Sequence, residues 1–178
     1  NAFGNYLRKP GAVAGLNTTV VTCFYEDKKG KIWIGTDMGG FLKFDPANKT
    51  FTIHNIQNSQ LSSNSINDIK QDKYGNLWLA TWGGGVIRYN PATGLVKNYV
   101  NRPSDVNSLI SNDVKSILPD DSVIWIGTHG GGLAVFNLKK QEIIDAKNNG
   151  TYPFNMADPA WINQLFKDSK QRLWISTY

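Results

Sequence analysis

A short apolar segment with a central tryptophan, in the pattern aliphatic, Trp, aliphatic, small, Thr, occurs four times along the chain. The four central residues are Trp33, Trp78, Trp125 and Trp174. They lie 45, 47 and 49 residues apart (78 − 33, 125 − 78 and 174 − 125). A nearly constant period of this length indicates a repeat architecture.

The polar positions around this segment divide each unit into four short strands. In the second unit, a β-forming run at 66–71 precedes a polar turn at 72–75, and the glycine triplet at 83–85 and the Asn-Pro turn at 90–94 separate the later runs. Turn residues between runs rich in β-branched and aromatic residues predict antiparallel strands joined by tight turns. The tryptophan strand is apolar throughout and does not alternate, which indicates burial on both of its faces.

These features together predict an all-β fold, a β-propeller of four-stranded antiparallel blades, with about three complete blades plus partial ones. A sandwich or barrel would show alternation without this period, and recurrent Gly and Pro disfavour a helical solenoid. The predicted division is 1–15 as the tail of a preceding blade and a connector, 16–54, 61–99 and 109–160 as blades, the last with a loop insertion from 137, and 161–178 as the first two strands of another blade.

The predicted ends of the repeat do not coincide with the ends of a blade. The chain starts on a fourth strand, which contains Phe3 and Tyr6, and ends after a second strand. Such a division leaves apolar blade faces and strand edges without neighbours. We therefore expect a fragment of a larger ring, in which the remaining blades or another copy of the chain cover these faces.

Composition and charge narrow the function classes. Of 178 residues, 40% are hydrophobic and 19% charged, which is sufficient for a packed core. The formal net charge of +5 is spread over turns without a basic block, so a nucleic-acid partner is disfavoured. Cys23 is the only cysteine, which excludes an internal disulfide and a thiolate metal site. No cofactor or metal motif is present in the sequence, and no apolar run approaches the roughly 18 residues of a membrane span.

The repeat unit resembles a known family, the two-component regulator propeller. The shared pattern is Leu-Ser-x-Asn-x-Ile followed by Asp-x-x-Gly-x-Leu-Trp-Ile-Gly-Thr-x-Gly-Gly-Gly-Leu-x-x-Tyr-Asn. Four positions depart from it: Pro119 stands in place of the turn Asp, Gln171 in place of the turn Gly, and Ala80 and Ser176 in place of the strand Gly. Residues 61–99 carry the pattern best, through Leu61, Asn64, Ile66, Asp72, Gly75, Leu77, Trp78, Thr81, Gly83, Gly84, Gly85, Tyr89, Asn90 and Tyr99.

The resemblance implies a function that composition alone does not. Such repeats form periplasmic sensor regions of hybrid two-component histidine kinases, often in gut Bacteroidetes, that respond to polysaccharide fragments. It further implies two seven-bladed propellers, an Ig-like domain, a membrane helix and cytoplasmic kinase parts. By this resemblance, the chain is expected to be a periplasmic, oligosaccharide-sensing segment of an inner-membrane protein, without kinase chemistry of its own.

Most of the repeated residues are expected to serve the fold. The four tryptophans are predicted to pack between blades, the glycine triplets to form turns, and Asp27, Asp72 and Asp168 to cap turn amides. The two histidines, His54 and His129, lie in different units without metal-ligand spacing. No Gly-x-Ser-x-Gly elbow is present, although two acids from separate blades could still converge as in a glycosidase.

Three function classes follow from these observations. The first is a ligand-sensing propeller, the second a lyase or hydrolase of the streptogramin-lyase type, and the third an interaction scaffold similar to a WD-repeat propeller. Incubation with glycans would distinguish them. Binding without turnover indicates the sensor, turnover indicates the enzyme, and the absence of any effect leaves the scaffold.

One position varies while its neighbours hardly change, namely the residue directly after the threonine of each tryptophan strand. Because loops on a rigid scaffold carry function, this position is the predicted ligand-binding site. We expect its residues to share one face with Asn64 and Ser65, with the turns that contain Lys28, Lys73 and Lys170 on the opposite face. The four predicted ligand-binding residues are Asp37, Trp82, His129 and Tyr178.

Overall fold

The computed structural model describes residues 20–145 and 161–178, which form antiparallel β-sheets connected by tight turns. Three sheets have four strands in sequential order and a fourth sheet has two, and we number them blades 1 to 4. The predicted all-β fold and the four-stranded antiparallel blade are therefore confirmed. The predicted strand around Phe3 and Tyr6 lies outside the described residues.

The tryptophan strand is the second strand of every blade. Blade 1 comprises β1 (Val21–Glu26), β2 (Ile32–Thr36), β3 (Phe41–Asp45) and β4 (Thr50–His54). Blade 2 comprises β5 (Ile66–Gln71), β6 (Leu77–Thr81), β7 (Val86–Tyr89) and β8 (Val96–Tyr99). Blade 3 comprises β9 (Val114–Pro119), β10 (Val123–Thr128), β11 (Gly132–Asn137) and β12 (Glu142–Asp145), and blade 4 comprises β13 (Ile162–Lys167) and β14 (Leu173–Thr177).

Strand β12 corrects the sequence analysis, which placed this part of the chain in an irregular insertion. Its four residues pair with β11 and complete blade 3. The pairing is stabilised by the burial of Ile143, which is 3% exposed and packs in the core cluster between blades 2 and 3. The turn before β12 was not recognised, because Gln141 takes the left-handed conformation at φ 58° where the second unit has Gly94. The rest of the predicted insertion, 146–160, lies outside the described residues.

An aspartate holds the turn between the first and second strands of a blade. In blade 2, Asp72 Oδ1 accepts hydrogen bonds from the amides of Tyr74 and Asn76, each at 2.9 Å, and Gly75 completes the turn with φ of 85°. The second carboxylate oxygen accepts a hydrogen bond of 2.8 Å from Trp78 Nε1. The predicted amide capping is confirmed, and the bond to the tryptophan is an additional role that the sequence analysis did not predict.

Blades 3 and 4 keep this arrangement despite their sequence departures. In blade 3, Pro119 ends β9 and the carboxylate of Asp120 lies 3.5 Å from Trp125 Nε1, so the turn is one residue shorter and its aspartate is not missing. In blade 4, Gln171 takes the left-handed conformation at φ 64° where blades 1 and 2 have Gly30 and Gly75. The local geometry therefore depends on the position of the carboxylate more than on the consensus residue.

The cores lie between blades, where the tryptophan of one blade packs on the next. Trp33 lies with its ring centroid 5.9 Å from that of Tyr89 in blade 2, and Trp78 lies 4.8 Å from Phe136 in blade 3. Both tryptophans are almost completely buried, at 1% and 0% exposure. Trp33 and Trp78 therefore each lie between two blades and contact an aromatic residue of the next one.

The last two tryptophans show how the burial depends on the following blade. Trp125 is 9% exposed and belongs to a buried cluster with Ile162 and Leu165 of blade 4. Trp174 of blade 4 is 55% exposed, and the described residues provide no further blade against it. Burial of the repeat tryptophan therefore depends on whether a following blade packs against it, and its own strand is not sufficient.

Candidate functional site: an aromatic upper rim

The four predicted ligand-binding residues occupy equivalent positions at one end of the strands. Each of them donates its backbone N–H to the carbonyl of the residue that precedes the first strand of its own blade. The bonds are Asp37 to Val20 (3.0 Å), Trp82 to Ser65 (2.9 Å), His129 to Asp113 (2.7 Å) and Tyr178 to Trp161 (3.1 Å). We call the end of the blades that contains these residues the upper rim.

Three of the four residues come together, and a fourth aromatic residue joins them. The ring centroids of Trp82 and His129 are 5.5 Å apart, and that of His129 is 4.3 Å from Trp161. Tyr178 lies edge-on to both, at 6.4 Å from His129 and 6.3 Å from Trp161. We call Trp82, His129, Trp161 and Tyr178 the rim aromatic cluster.

The cluster is accessible to solvent. Trp82, Trp161 and Tyr178 are 46%, 50% and 85% exposed, in contrast to the buried tryptophans between blades. Lys115 of β9 lies 5.4 Å from the Trp82 ring, so a cation also borders the cluster. Exposed rings next to an imidazole, a phenol and an ammonium group can stack on a ligand ring and hydrogen-bond to its substituents.

Asp37 lies on the same rim, at the end of β2, and its carboxylate contacts the segment that precedes blade 2. Its carboxylate accepts a hydrogen bond of 2.8 Å from the Ser65 hydroxyl, which in turn accepts one from the Met38 amide. Asn64 accepts hydrogen bonds from the amides of Ile56 and Gly40, at 2.9 and 2.8 Å. The polar residues at this end of blade 1 thus hold the loops together.

Trp161 is the residue that the sequence analysis missed. Its position, directly before the first strand of a blade, carries Val20, Ser65, Asp113 and Trp161 in the four units. This position varies as much as the predicted one, and the backbone bonds of the upper rim pair the two positions. The variation is a signal that the sequence contained, but Trp161 follows 146–160, where the repeat pattern is lost.

The opposite ends of the strands form the lower rim, which contains the turns between the first and second strands. Lys28, Lys73 and Lys170 lie in three of these turns. Since the strands of a blade are antiparallel, these turns are at the other end of the sheet from Asp37 and Trp82. The predicted separation of the two faces follows from this topology.

Metal-binding side chains and the thiol of Cys23 are further candidates for chemistry in the described ranges. No cluster of three or more His, Cys, Asp or Glu residues that could hold a metal is found in 20–145 and 161–178. Burial, together with the charge of Asp68, raises the pKa of Cys23 to about 11, so its thiol is a poor nucleophile. Over the same ranges, no helix is long and apolar enough to cross a membrane.

Comparison with known proteins relates the repeat to one family. Residues 15–38 and 60–83 match the family described as "Two component regulator propeller". Both segments run from the residues that precede a first strand to the residues just beyond the tryptophan strand. No match was found among curated proteins.

Several solved structures share the fold. The extracellular domain assigned to the hybrid two-component system BT3049 of B. thetaiotaomicron aligns over 97% of this chain and 23% of its own, with a TM-score of 0.76 and 21% identity. The extracellular domain assigned to the one-component system BT4673 of the same organism aligns over 92% and 23%, with a TM-score of 0.70 and 25% identity. PorZ, a surface component of the type-IX secretion system of Porphyromonas gingivalis, aligns over 99% and 27%, with a TM-score of 0.71 and 17% identity.

The chain aligns with only part of each of these structures. The chain spans about a quarter of each of the three. Its three four-stranded blades and the two strands of blade 4 therefore correspond to an arc of a larger propeller architecture. Two segments of the chain match the two-component regulator propeller family, and the fold is similar to that of the extracellular domains assigned to BT3049 and BT4673 of B. thetaiotaomicron.

Proposed function

We propose that the chain is a ligand-sensing propeller segment from the periplasmic part of a hybrid two-component sensor histidine kinase. Two of its segments match the regulator propeller, and one of the similar structures is the extracellular domain assigned to a hybrid two-component system. The segment itself binds and does not catalyse. Signalling across the membrane and kinase activity belong to other parts of the full-length protein, which is anchored in the inner membrane.

The ligand in this proposal is an oligosaccharide derived from a polysaccharide, and it binds at the rim aromatic cluster. The observation that carries it is the grouping of Trp82, His129, Trp161 and Tyr178 at the accessible upper rim, where neighbouring ring centroids are 4.3 to 6.4 Å apart. The apolar C–H face of a sugar stacks on an indole ring, while its hydroxyl groups bind to the imidazole, the phenol and the Lys115 ammonium.

Titration calorimetry with a panel of neutral tetrasaccharides (cellotetraose, xylotetraose, mannotetraose and maltotetraose) tests this assignment. Trp82→Ala and His129→Ala should each weaken binding of the active member about tenfold or more, because each loses a stacking or hydrogen-bonding group worth at least ~1.4 kcal/mol. Their melting temperatures should remain close to that of the unmodified protein, because both side chains are partly exposed.

Tyr74→Ala is the matched control, since Tyr74 is an aromatic residue of the lower rim that is 66% exposed. It should bind the neutral sugar normally, and so should Lys28→Ala, Lys73→Ala and Lys170→Ala. Equal loss from both rims, or loss only from the lower rim, would contradict the assignment. Chromatography of the sugars after incubation distinguishes the enzyme alternative, in which the active tetrasaccharide is consumed.

We also propose that the faces at the two ends of the arc are covered by the remaining blades of the ring or by another copy of the chain. The support is the exposure of Phe166 and Trp174 in blade 4, at 58% and 55%. Light scattering on this chain should therefore show concentration-dependent self-association. A monomer at all concentrations, with these aromatic residues fully solvated, would contradict the proposal.

A further inference from the structure

A groove on the lower rim separates blade 1 from blade 2. It has a volume of about 420 Å³ and lies between the turn at 27–31, the turn at 71–75 and the Asn90-Pro91-Ala92 segment. The upper rim contributes no residue to it. Five of its lining side chains are lysines, namely Lys28, Lys29, Lys31, Lys43 and Lys73.

The two aspartates of the groove are engaged in the fold. Asp27 accepts hydrogen bonds from the amides of Lys29 and Lys31, at 2.8 and 3.0 Å, and from Trp33 Nε1 at 3.0 Å. Asp72 is only 3% exposed and accepts the corresponding bonds in blade 2. Burial raises the pKa of Asp27, but the bonds from Trp33 and the two amides outweigh it and lower that pKa overall. Both carboxylates are therefore committed to their turns.

The lysines, in contrast, outnumber the acids. Lys31 forms an ion pair of 2.6 Å with Asp45, which leaves four ammonium groups beside the two committed carboxylates. Lys43 lies 5.8 Å from the centroid of the Trp33 ring, and Lys28 and Lys29 are exposed. Positive charge concentrated in a concave site attracts anions more strongly than the same charge on a convex surface.

The groove also presents an aromatic ring. Tyr74 lines it and is 66% exposed, and the Lys73 ammonium lies 5.4 Å from the centroid of its ring. An exposed ring provides a stacking surface for an apolar ligand face, which a small inorganic anion does not have. The combination favours a ligand that carries both anionic groups and rings.

The equivalent clefts between the other blades lack this character. Between blades 2 and 3, Arg88 donates a hydrogen bond of 2.7 Å to Gln141. Between blades 3 and 4, Lys167 forms an ion pair with Asp120 at 2.8 Å. The residue that corresponds to Lys43 is Arg88 in blade 2, which is bonded to Gln141, and Val135 in blade 3. The lysine groove is thus a feature of one pair of blades and not of the repeat.

We propose that the lysine groove binds an anionic oligosaccharide, in which carboxylate or sulfate groups contact Lys28, Lys29, Lys43 and Lys73 and a sugar ring stacks on Tyr74. The proposal rests on the proposed function in taking the ligand to be a saccharide, but it concerns a second site with its own specificity. The upper rim binds neutral sugar surfaces and the groove selects for charge.

Calorimetric titration with tetragalacturonate, which carries four carboxylates, tests the groove. Its methyl-esterified form is the neutral control, and inorganic tripolyphosphate is the anion without a sugar. We expect tetragalacturonate to bind, its methyl ester to bind at least about tenfold more weakly, and affinity to fall when salt rises from about 50 to about 500 mM.

Two variants locate the interaction. Lys43→Gln combined with Lys73→Gln should weaken tetragalacturonate binding about tenfold or more, while the melting temperature shows whether the variant is folded. Lys170→Gln removes a lysine from the equivalent turn of blade 4, which does not line the groove, and should leave binding unchanged. The groove is tested with tetragalacturonate and the upper rim with neutral tetrasaccharides, so a failure of the upper-rim assignment is distinguishable from a failure of this one.

Three outcomes would overturn the proposal. They are undiminished binding by the folded double variant, an equal loss with Lys170→Gln, and equal affinity for the methyl ester. Binding of tripolyphosphate without binding of tetragalacturonate would overturn the assignment to a saccharide, and so would the absence of binding by both anions.

Discussion

At the residue scale, the turn aspartate combines two roles in a single carboxylate. Asp72 binds two turn amides through one oxygen and the buried Trp78 indole through the other. In blade 4, Asp168 forms the same set of bonds in a more exposed setting, where those from Trp174 and the Arg172 amide lower its pKa to about 2. The spacing between the turn aspartate and the tryptophan therefore specifies a hydrogen bond to the indole as well as a capped turn. The sequence pattern alone predicted only the capped turn.

The burial of this contact in blade 2 gives a stability prediction. Asp72→Ala should lower the free energy of unfolding by about 3 kcal/mol, because a buried donor without a partner costs roughly 1–3 kcal/mol and the Trp78 N–H and two amides each lose their acceptor. Urea unfolding monitored by tryptophan fluorescence measures this. Asp168→Ala is the control and should cost clearly less, since Trp174 is 55% exposed. An equal loss in both variants would contradict the account.

His54 provides a pH-dependent contribution to stability. It stacks on Phe41 with centroids 4.7 Å apart, and burial, reinforced by the charge of Lys43, lowers its pKa below the model-compound value of 6.5. Since the unfolded chain binds a proton more readily than the folded one, stability should fall as the pH drops below 6.5 and level off below the folded pKa.

The measurement for His54 is the urea midpoint between about pH 7.5 and about pH 5, a range in which few other side chains titrate. His54→Gln should remove part of the decrease in stability on acidification. A variant that retains the full pH dependence would show that other groups cause it.

At the element scale, the packing of one blade on the next depends on a small residue in the tryptophan strand. A Cβ added to Gly127 would lie 2.5 Å from Ile162 Cγ2, and one added to Gly35 would lie 3.0 Å from the same atom of Ile66. In blade 2 the equivalent strand residue is Ala80. The residue of blade 3 that packs in its cluster is Val114, at the position held by isoleucine in blades 2 and 4. The larger residue in the strand thus accompanies a smaller one in the adjacent blade.

This compensation predicts coupling between two positions. Gly127→Ala should destabilise the protein by about 1–3 kcal/mol, the usual cost of overpacking a core. Adding Ile162→Val, which reproduces the pair found between blades 2 and 3, should recover part of that loss. A double-mutant cycle measures the coupling, and additive effects of the two substitutions would contradict it.

At the scale of the whole molecule, the periodic pattern was sufficient to predict the blades because tryptophan, aspartate and glycine recur at fixed distances. Strand β12 was missed, because the turn before it, capped by Asn137, has Gln141 where blade 2 has Gly94. The upper rim was predicted as a face, because antiparallel strands place equivalent loops at the same end. Trp161 was not predicted, because it follows 146–160, where the repeat pattern is lost. The lysine groove was not predicted, because its residues are distant in sequence and meet across neighbouring blades.

The central claim is that the rim aromatic cluster is the sensing surface, and indole resonances test it most directly. The chain has six tryptophans, so a ¹H–¹⁵N spectrum resolves six Nε1–H signals. On titration with the active neutral tetrasaccharide, the signals of Trp82 and Trp161 should shift, while those of Trp33 and Trp78, which donate to Asp27 and Asp72, should stay in place. Shifts confined to other tryptophans, with Trp82 and Trp161 unchanged at saturation, would contradict the claim.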